Sequence, residues 1–350
     1  MKNLLIITQK VDVEDDLLGF FVGWIEEFSN HFDQVFVISL AVGSFNFPKN
    51  VTVYSLGKEK GASKILQFFR LVRFLFGVMP KVQGVFAHMS PIFAIAAWPA
   101  TFLFRKKLIL WYLHRQVSRS LKLAQKFSKF IVTADRDSLN LKSSKIIETG
   151  HGIDFEKFGR ERSWSDSHLR MLSVGRISPI KNFETLIRAV EILRNEGLNF
   201  SLDIVGRPIA GKDFSYYESL KKLVVDRGLD KSVNFIGFVP HTRIAPYFER
   251  TDFCVGPLPT GGIDKAMLEG MAAGCVVLTS NQAFEKYFGP YGDKLLFEFN
   301  NDQDLARKIK LIYAESSAEK REISEFLVQS VKKSHNLKNT INQIVNLYER

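Results

Sequence analysis

Short apolar segments alternate with longer segments of helical periodicity along most of the chain. In the first half the apolar runs lie at 3–8, 34–39, 51–54, 84–87, 107–112, 129–133 and 145–148. Between the first two of these, the apolar residues of 16–30 recur at the three- and four-residue spacing of a helix. Because alternating strands and helices form βαβ units, this pattern predicts a parallel sheet covered by helices.

A polar stretch at 158–168 interrupts the alternation, and we interpret it as a linker between two domains. The alternation then resumes, with strands predicted at 170–174, 200–205, 232–236, 252–256, 275–279 and 294–297. Helices are predicted at 182–195, 214–227, 241–250 and 264–273, and from Asp302 the pattern is helical to the end. The expected fold class is α/β, with two doubly wound parallel-sheet domains facing across a cleft at the carboxyl ends of their strands.

The composition agrees with a folded, reduced protein. Of the 350 residues, 46% are hydrophobic and 24% charged, which excludes a mainly disordered chain. The two cysteines, Cys254 and Cys275, stand in apolar surroundings, so we expect free thiols in the cytoplasm. The N-terminus lacks the pattern of a secretory signal, and the longest apolar stretch, 91–104, contains two prolines and falls short of the ~20 residues of a membrane span.

Positive charge is concentrated in the first half. Residues 51–150 carry 17 lysines and arginines against four acidic residues, within a chain of net charge +11. This indicates a membrane surface, a phosphorylated lipid or a nucleic acid as partner, or a soluble surface that is simply basic. The segment 63–81 combines apolar and basic residues without acids, which fits both a helix in a membrane interface and a helix packed on a sheet.

The strongest local signal for chemistry is the sequence SVGRISPIKN at 173–182. A strand leads into Gly175, Arg176 follows, and Lys181 stands just before a helix for which Asn182 is the predicted cap. Two cations and a helix N-terminus at the carboxyl end of a strand match the needs of a diphosphate. Surface charge beside a turn is the alternative.

A second signal is the sequence GGIDKAMLEGMAAG at 261–274. Glu269 lies on a predicted helix among small residues, where it could accept the hydroxyls of a ribose. The amides near Gly261 and Gly262 could meet phosphate oxygens, as glycine-rich loops do. An ordinary pair of helix-end glycines is the alternative.

These segments, with GFVP at 237–240 and LEGMAAGCVVLTSN at 268–281, resemble the C-terminal domain of family-four (group 1) retaining glycosyltransferases of the GT-B fold. The GHGID at 150–154 and the LWYLH ending at His114 resemble, more weakly, their first domain. The resemblance implies Rossmann-like domains at 1–160 and 161–333, with 334–350 a final helix that crosses back to the first domain.

The resemblance also implies roles for individual residues. Arg176 and Lys181 would hold the diphosphate of a nucleotide sugar, Glu269 its ribose, and His114 the transferred sugar. Further donor contacts would come from backbone and side chains at the strand ends and loops: Gly19 with Leu18, Gly175, Gly237, Phe238, Gly261, Gly262, Ile263 and Asp264. The implied reaction moves a hexose, with retention, to a lipid-linked or polysaccharide acceptor in cell-envelope glycan synthesis.

The sequence departs from the family at one catalytic position, because Gly261 stands where a second glutamate is usual. Asp264 or backbone amides could replace it, and a non-catalytic nucleotide-sugar-binding subunit or a sugar-nucleotide epimerase remains an alternative. A dinucleotide oxidoreductase is disfavoured because no spaced glycines follow the first strand. We expect no cofactor, no metal and no nucleic acid partner, and a cytoplasmic location with peripheral contact to an anionic membrane through 51–150.

Overall fold

The computed structural model describes residues 2–158, 164 and 167–350, and this part of the chain divides into two compact units. The N-terminal unit contains the residues up to Gly152 together with Pro240–Thr242 and His335–Arg350. The C-terminal unit contains Ile153–Val239 and Arg243–Ser334. Most of the predicted linker at 158–168, and the predicted boundary at 160/161, lie outside the described residues.

The N-terminal unit is built on a seven-stranded sheet, all of whose neighbouring strands run parallel, in the order β3-β2-β1-β4-β5-β6-β7. Its strands are β1 (Asn3–Val11), β2 (Gln34–Val42), β3 (Val51–Ser55), β4 (Gly84–His88), β5 (Lys107–Trp111), β6 (Phe130–Thr133) and β7 (Ile146–Glu148). The central strands are buried on both faces, which explains their nearly continuous apolar sequences.

Helices cover both faces of this sheet: α1 (Phe21–Ser29), α2 (Lys64–Val78), α3 (Pro91–Leu103) and α4 (Arg119–Phe127). One buried core lies beneath α2, α3 and α4. The core on the opposite face contains α1 and the final helix of the chain. Pro91 is tolerated in α3 because it occupies the first turn, where its missing N–H has no helical partner.

The C-terminal unit has a five-stranded parallel sheet in the order β10-β9-β8-β11-β12. Its strands are β8 (Leu169–Val174), β9 (Phe200–Val205), β10 (Val233–Gly237), β11 (Phe253–Gly256) and β12 (Val276–Thr279). The helices that complete the chain are α5 (Phe155–Phe158), α6 (Phe183–Asn195), α7 (Gly211–Asp226), α8 (Ala245–Glu249), α9 (Lys265–Ala272), α10 (Glu285–Phe288), α11 (Gly292–Leu295), α12 (Asp302–Tyr313), α13 (Ser317–His335) and α14 (Leu337–Leu347). The prediction of two doubly wound parallel-sheet domains is confirmed.

The strand predicted at 294–297 is wrong. Residues Gly292–Leu295 form the short helix α11, and only Leu296 makes an isolated bridge, to Thr279 of β12. The ammonium of Lys308, on α12, donates to the carbonyls of Asp293 and Leu296. These bonds occupy backbone acceptors that a strand would need for its ladder.

Both cysteines are buried free thiols, as expected. Among the described residues, every helix is too short or too polar to cross a membrane.

Candidate functional site

The candidate site lies where the strand order of the C-terminal sheet reverses, between β8 and β11. The ladder joining these strands pairs Met171 with Phe253 and Leu172 with Cys254. Beyond it, the hydroxyl of Ser173 donates to the carbonyl of Val255 at 2.6 Å. Connections on the two sides of a reversal lead to opposite faces of the sheet, which leaves a crevice at the carboxyl ends of the strands. The segments 175–182 and 257–269 begin on either side of this crevice.

Three adjacent strands, β8, β9 and β10, end in or are followed by glycine at this edge. The amide of Gly206 donates to the carbonyl of Gly237 at 2.8 Å, and the amide of Gly175 donates to that of Val205 at 2.9 Å. A Cβ on Gly206, where φ is +145°, would lie 1.9 Å from the carbonyl oxygen of Gly175. No side chain fits at Gly206, and the glycines at the other two strand ends carry none, so the three ends form a strip of bare backbone that we call the glycine shelf.

The two predicted diphosphate cations lie at this shelf. The Lys181 side chain lies against Gly175: a Cβ added to Gly175 would lie 2.8 Å from Nζ of Lys181. The same Nζ is 2.7 Å from Oδ2 of Asp264. The Arg176 side chain is 42% exposed, and its Nε is 3.9 Å from Oδ2 of the buried Asp213. Each cation therefore faces a carboxylate while leaving donors for an anion.

Two further residues predicted to contact the nucleotide sugar, Asp264 and Glu269, lie at the start of helix α9 and within it. Asp264 begins it, accepting the amide of Ala266 on Oδ1 at 3.1 Å. Glu269, only 5% exposed, lies five residues later, about 7.5 Å along the helix axis. Its Oε1 is 3.5 Å from Nζ of Lys265, whose pKa is lowered by burial although Glu269 opposes that shift.

Small residues around Glu269 serve the packing of α9. A Cβ on Gly270 would lie 3.0 Å from the Cβ of Cys254, so glycine allows the helix to approach β11 closely. The glycines are thus explained by packing, and the buried Glu269 carboxylate is paired with Lys265 on the same helix.

The loop at Gly261 and Gly262 is held by Asn281, which follows β12. Oδ1 of Asn281 accepts the amide of Gly261 at 3.2 Å, and its Nδ2 donates to the carbonyl of Gly262 at 3.0 Å. The Gly261 amide is therefore occupied by a side chain in this structure. Ile263 is buried in the core of the unit, so it positions the loop.

Asn182 occupies the N-cap position of α6, as predicted, but it does not cap the helix with its side chain. Asn182 adopts a left-handed conformation, with φ of 50°, and its side chain makes no capping bond to α6. It donates instead to Asn300 and accepts from the hydroxyl of Thr185. The amide of Phe183 donates to the hydroxyl of Tyr216 at 2.9 Å. The hydroxyl of Tyr216 thus satisfies the first amide of α6.

Two predicted site residues lie in the N-terminal unit. His114 follows β5, is exposed, and accepts the amide of Gln116 on Nδ1 at 3.3 Å. Gly19 ends a turn after β1, where a Cβ would lie 2.8 Å from the carbonyl of Asp15. The Asp15 carboxylate also accepts the amides of Leu17 and Leu18, so it shapes this loop.

Sequence reasoning missed Arg207, which follows Gly206 on the shelf. Its guanidinium carbon lies 4.7 Å from the ring centroid of Phe238, a predicted donor contact after β10. The signal was present, because Val205–Arg207 repeats the Val-Gly-Arg sequence of Val174–Arg176 at the end of the next strand. Asp213, 2% exposed at its side chain beside Arg176, was also missed, since nothing in its local pattern marks it.

A buried histidine was also missed, at the strand-order reversal of the N-terminal sheet. His88 ends β4, and its Nδ1 is 3.1 Å from the hydroxyl of Thr8 on the neighbouring β1. Its ring stacks on Phe21 at a centroid distance of 3.5 Å. Burial lowers the pKa of His88 to about 3, so the imidazole is neutral at pH 7.

No group of three or more histidine, cysteine, aspartate or glutamate side chains with the arrangement of a metal site occurs within residues 2–158, 164 and 167–350. The prediction that no metal is used stays a prediction.

Comparison with known proteins points to one family. A family model described as glycosyl transferases group 1 matches residues 154–325. The chain is 32% identical over 149 residues to the amylovoran biosynthesis glycosyltransferase AmsK of Erwinia amylovora, a match covering 40% of this chain and 35% of AmsK. It is 24% identical over 158 residues to the capsular polysaccharide biosynthesis glycosyltransferase CapH of Staphylococcus aureus, covering 44% of this chain and 43% of CapH. The matches thus span less than half of these relatives.

Among solved structures, Anabaena HepE in complex with UDP-glucose aligns with a TM-score of 0.77 over 100% of both chains. Its sequence is 17% identical to this chain. At that identity the likeness establishes the fold, and it extends over the whole chain.

Proposed function

We propose that this chain, which has the GT-B fold and matches the group 1 glycosyltransferases over residues 154–325, transfers a hexose from a nucleoside diphosphate sugar to a hydroxyl group with retention of configuration. The proposed acceptor is a lipid-linked or polysaccharide glycan of the cell envelope. The names of AmsK and CapH, which place those proteins in amylovoran and capsular polysaccharide biosynthesis, support this class of acceptor.

One observation carries the proposal: at the reversal of the C-terminal sheet, Lys181 after β8 meets Asp264 at the start of α9, and Arg176 at the same strand end lies beside Asp213 of α7. Open α/β sheets bind ligands at this position. A diphosphate bound at the glycine shelf would accept hydrogen bonds from Arg176 and Lys181. Glu269 is the proposed partner of the ribose hydroxyls. HepE, which was solved with UDP-glucose, shares this fold.

The proposed chemistry depends on the leaving group. When the bond from the sugar to the diphosphate breaks, negative charge develops on the phosphate oxygens, and fixed cations stabilise that charge more than they stabilise the substrate. Loss of one such group commonly raises the barrier by about 3 kcal/mol, or about a hundredfold in rate. The departing phosphate is the proposed acceptor of the proton from the incoming hydroxyl, on the same face of the sugar.

Contacts to the sugar itself are assigned by proposal. Gly261 supplies no carboxylate, so we assign the hexose contacts to His114 and to the loop of Gly261, Gly262 and Asp264, whose carboxylate also holds Lys181. Gly19 and Leu18 are the proposed loop contacts of the N-terminal unit. Gly237 and Phe238 would line the base, with Arg207 over the phenyl ring. The reaction is proposed to need no metal and no cofactor.

The test measures nucleotide released from a panel of nucleotide sugars, with and without membrane lipid extract as acceptor. We expect release that depends on acceptor, and a fall of about a hundredfold in turnover for Arg176→Ala and for Lys181→Ala. Arg188→Ala is the matched control, because Arg188 is an exposed arginine of α6 away from the strand ends.

Two outcomes would contradict the proposal. Nucleotide binding without release under any acceptor condition would favour the non-catalytic subunit, and unchanged turnover in both cation variants would show that the diphosphate lies elsewhere.

A further inference from the structure

Helix α2 has an apolar face on each of two sides. Leu71, Leu75 and Val78 pack into the core beneath the helix. A second stripe, at spacings of three, four and seven residues, faces solvent and consists of Ile65, Phe68, Phe69 and Phe76, which are 72%, 58%, 64% and 43% exposed. The outer face of a helix packed on a sheet is normally polar, and exposed apolar patches of this kind mark binding surfaces.

The exposed apolar surface continues onto α3. Phe76 makes an edge-to-face contact with Phe104, just past the end of α3, at a centroid distance of 6.2 Å. The neighbouring residues Phe102 and Leu103 are 72% and 64% exposed. We call the residues Ile65, Phe68, Phe69, Phe76, Phe102 and Leu103 the apolar patch.

The charge around the patch has one sign. From Lys60 to Ala134 the chain contains 13 lysines and arginines and no aspartate or glutamate. Exposed cations lie on α2 itself, at Lys64 and Arg73, and just beyond α3, at Arg105. The patch is therefore rimmed by positive charge without neutralising partners nearby in sequence.

The same layer of helices carries a basic cavity. Lys122 and Lys126 of α4, together with Lys142, line an open cavity of about 670 Å³. Helix α4 is joined to α3 by the stacking of Phe127 on Trp98, at a centroid distance of 4.2 Å, and both helices lie on the same face of the sheet as α2.

We propose that the outer surface of α2, α3 and α4 docks on an anionic membrane, with the apolar patch inserted at the interface and the lysines of α4 facing lipid phosphates. Helical faces that are both cationic and apolar bind such interfaces through electrostatic attraction to anionic lipids and through burial of apolar side chains. A second copy of this chain is a poorer occupant, because a two-fold contact would bring two surfaces of the same positive charge together.

The docking experiment uses the full-length protein and flotation with two kinds of vesicle, phosphatidylcholine alone and phosphatidylcholine mixed with phosphatidylglycerol. We expect at least about tenfold tighter binding to the anionic vesicles, weakening when added salt screens the charges. The double variant Phe68→Gln/Phe69→Gln should lose at least about tenfold in affinity for anionic vesicles. Phe214→Gln, at an exposed phenylalanine of α7, is the matched control and should bind as the unaltered protein does.

A second pair of variants tests the charge. Lys122→Gln/Lys126→Gln should weaken binding to anionic vesicles by about tenfold or more and leave binding to neutral vesicles unchanged. Lys332→Gln/Lys333→Gln, two exposed lysines of α13, is its control.

The proposal is overturned by equal binding to both vesicles, by no binding to either, or by phenylalanine variants that bind like the unaltered protein. It is also overturned if the protein is a dimer by light scattering that Phe68→Gln/Phe69→Gln converts to a monomer, since a second copy would then cover the patch. Thermal melts of all variants establish that each is folded.

Discussion

Asp264 ties the start of α9 to Lys181, a proposed diphosphate ligand, with a single carboxylate. One oxygen accepts the amide of Ala266 and the other holds Lys181 at 2.7 Å. The side chains of this pair are only 14% and 20% exposed, so the contact is partly shielded from water. A diphosphate that reaches Lys181 must therefore compete with a carboxylate already in place. The sequence showed that Asp264 was near the missing glutamate at Gly261, but the partner of its carboxylate depends on the fold.

Neutralising this carboxylate should tighten nucleotide binding. In Asp264→Asn the amide oxygen can still cap α9, since asparagine is as good an N-cap as aspartate. The competing charge is gone, and a pair of this kind contributes about 1 kcal/mol, so the dissociation constant for the best-binding nucleoside diphosphate should fall about fivefold. Isothermal titration calorimetry measures it, with Asp226→Asn, at an exposed carboxylate of α7, as control. Weaker binding would show instead that Asp264 orients Lys181 or contacts the donor.

We expect His88 to make the stability of the N-terminal unit depend on pH. Its Nε2 is buried without a hydrogen-bond partner among the described residues, and burial lowers its pKa to about 3. An unfolded histidine has a pKa of about 6.5, so below that pH the unfolded chain binds a proton that the folded chain does not. The free energy of unfolding is therefore greatest above about pH 6.5 and falls by up to about 1.4 kcal/mol per pH unit as the pH drops toward 3.

The substitution His88→Gln removes this titration. Between pH 7 and pH 5 the unaltered protein should lose about 2 kcal/mol more unfolding free energy than the variant loses. Urea unfolding followed by tryptophan fluorescence measures this, because Trp24, Trp98 and Trp111 all lie in the N-terminal unit. Equal pH slopes for the two proteins would show that His88 becomes protonated in the folded state or is unprotonated in the unfolded state.

At the scale of elements, the sequence predicted the strands well because buried parallel strands have continuous apolar sequences. The sequence predicted the ends of helices and strands less well wherever a side-chain contact determines where the element begins or ends. Helix α1 begins at Phe21, five residues after the predicted start, since the Asp15 carboxylate folds the preceding residues into a turn. The strand predicted at 294–297 fails for a similar reason, because Lys308 bonds the carbonyl of Leu296 and that of the preceding Asp293. The Lys308 contact joins residues 12 positions apart and leaves no pattern within 294–297, whereas Asp15 bonds amides only two and three positions away.

Helix α6 shows the same limit inside the candidate site. Its predicted start is correct to one residue, yet Asn182 at the N-cap position makes no side-chain capping bond, and Tyr216 from α7 accepts the Phe183 amide instead. Burial and the nearby Glu184 carboxylate raise the pKa of Tyr216, so its hydroxyl stays protonated and donates to Glu184. The position of α6 could be predicted from periodicity, whereas the group that accepts the first amide of the helix is set by tertiary packing.

At the scale of the whole molecule, both sheets reverse their strand order once, between β1 and β4 and between β8 and β11. The sequence predicted which residues would follow strands, but strand order determines which of those residues meet. This is why Arg176, Lys181 and Glu269 were predicted as one group only with the help of a family resemblance, a grouping that stays a prediction, and why His88 and Asp213 were not predicted. The two units also divide the charge, since the long acid-free segment belongs to the N-terminal unit and the candidate diphosphate residues to the C-terminal unit.

Because the candidate diphosphate residues belong to the C-terminal unit, a bound nucleotide should protect that unit from hydrogen exchange. A nucleoside diphosphate at about a hundred times its dissociation constant stabilises the binding state by about 2.7 kcal/mol. We expect slower exchange in peptides covering 175–182, 206–207, 237–238 and 261–269, at the strand ends and loops of the C-terminal sheet. Lys181→Met should reduce that protection at the same nucleotide concentration, and Arg188→Ala should retain it. Protection confined to the ends of β1 and β4, with those C-terminal peptides unchanged, would place the nucleotide in the N-terminal unit and remove Arg176 and Lys181 from its binding site.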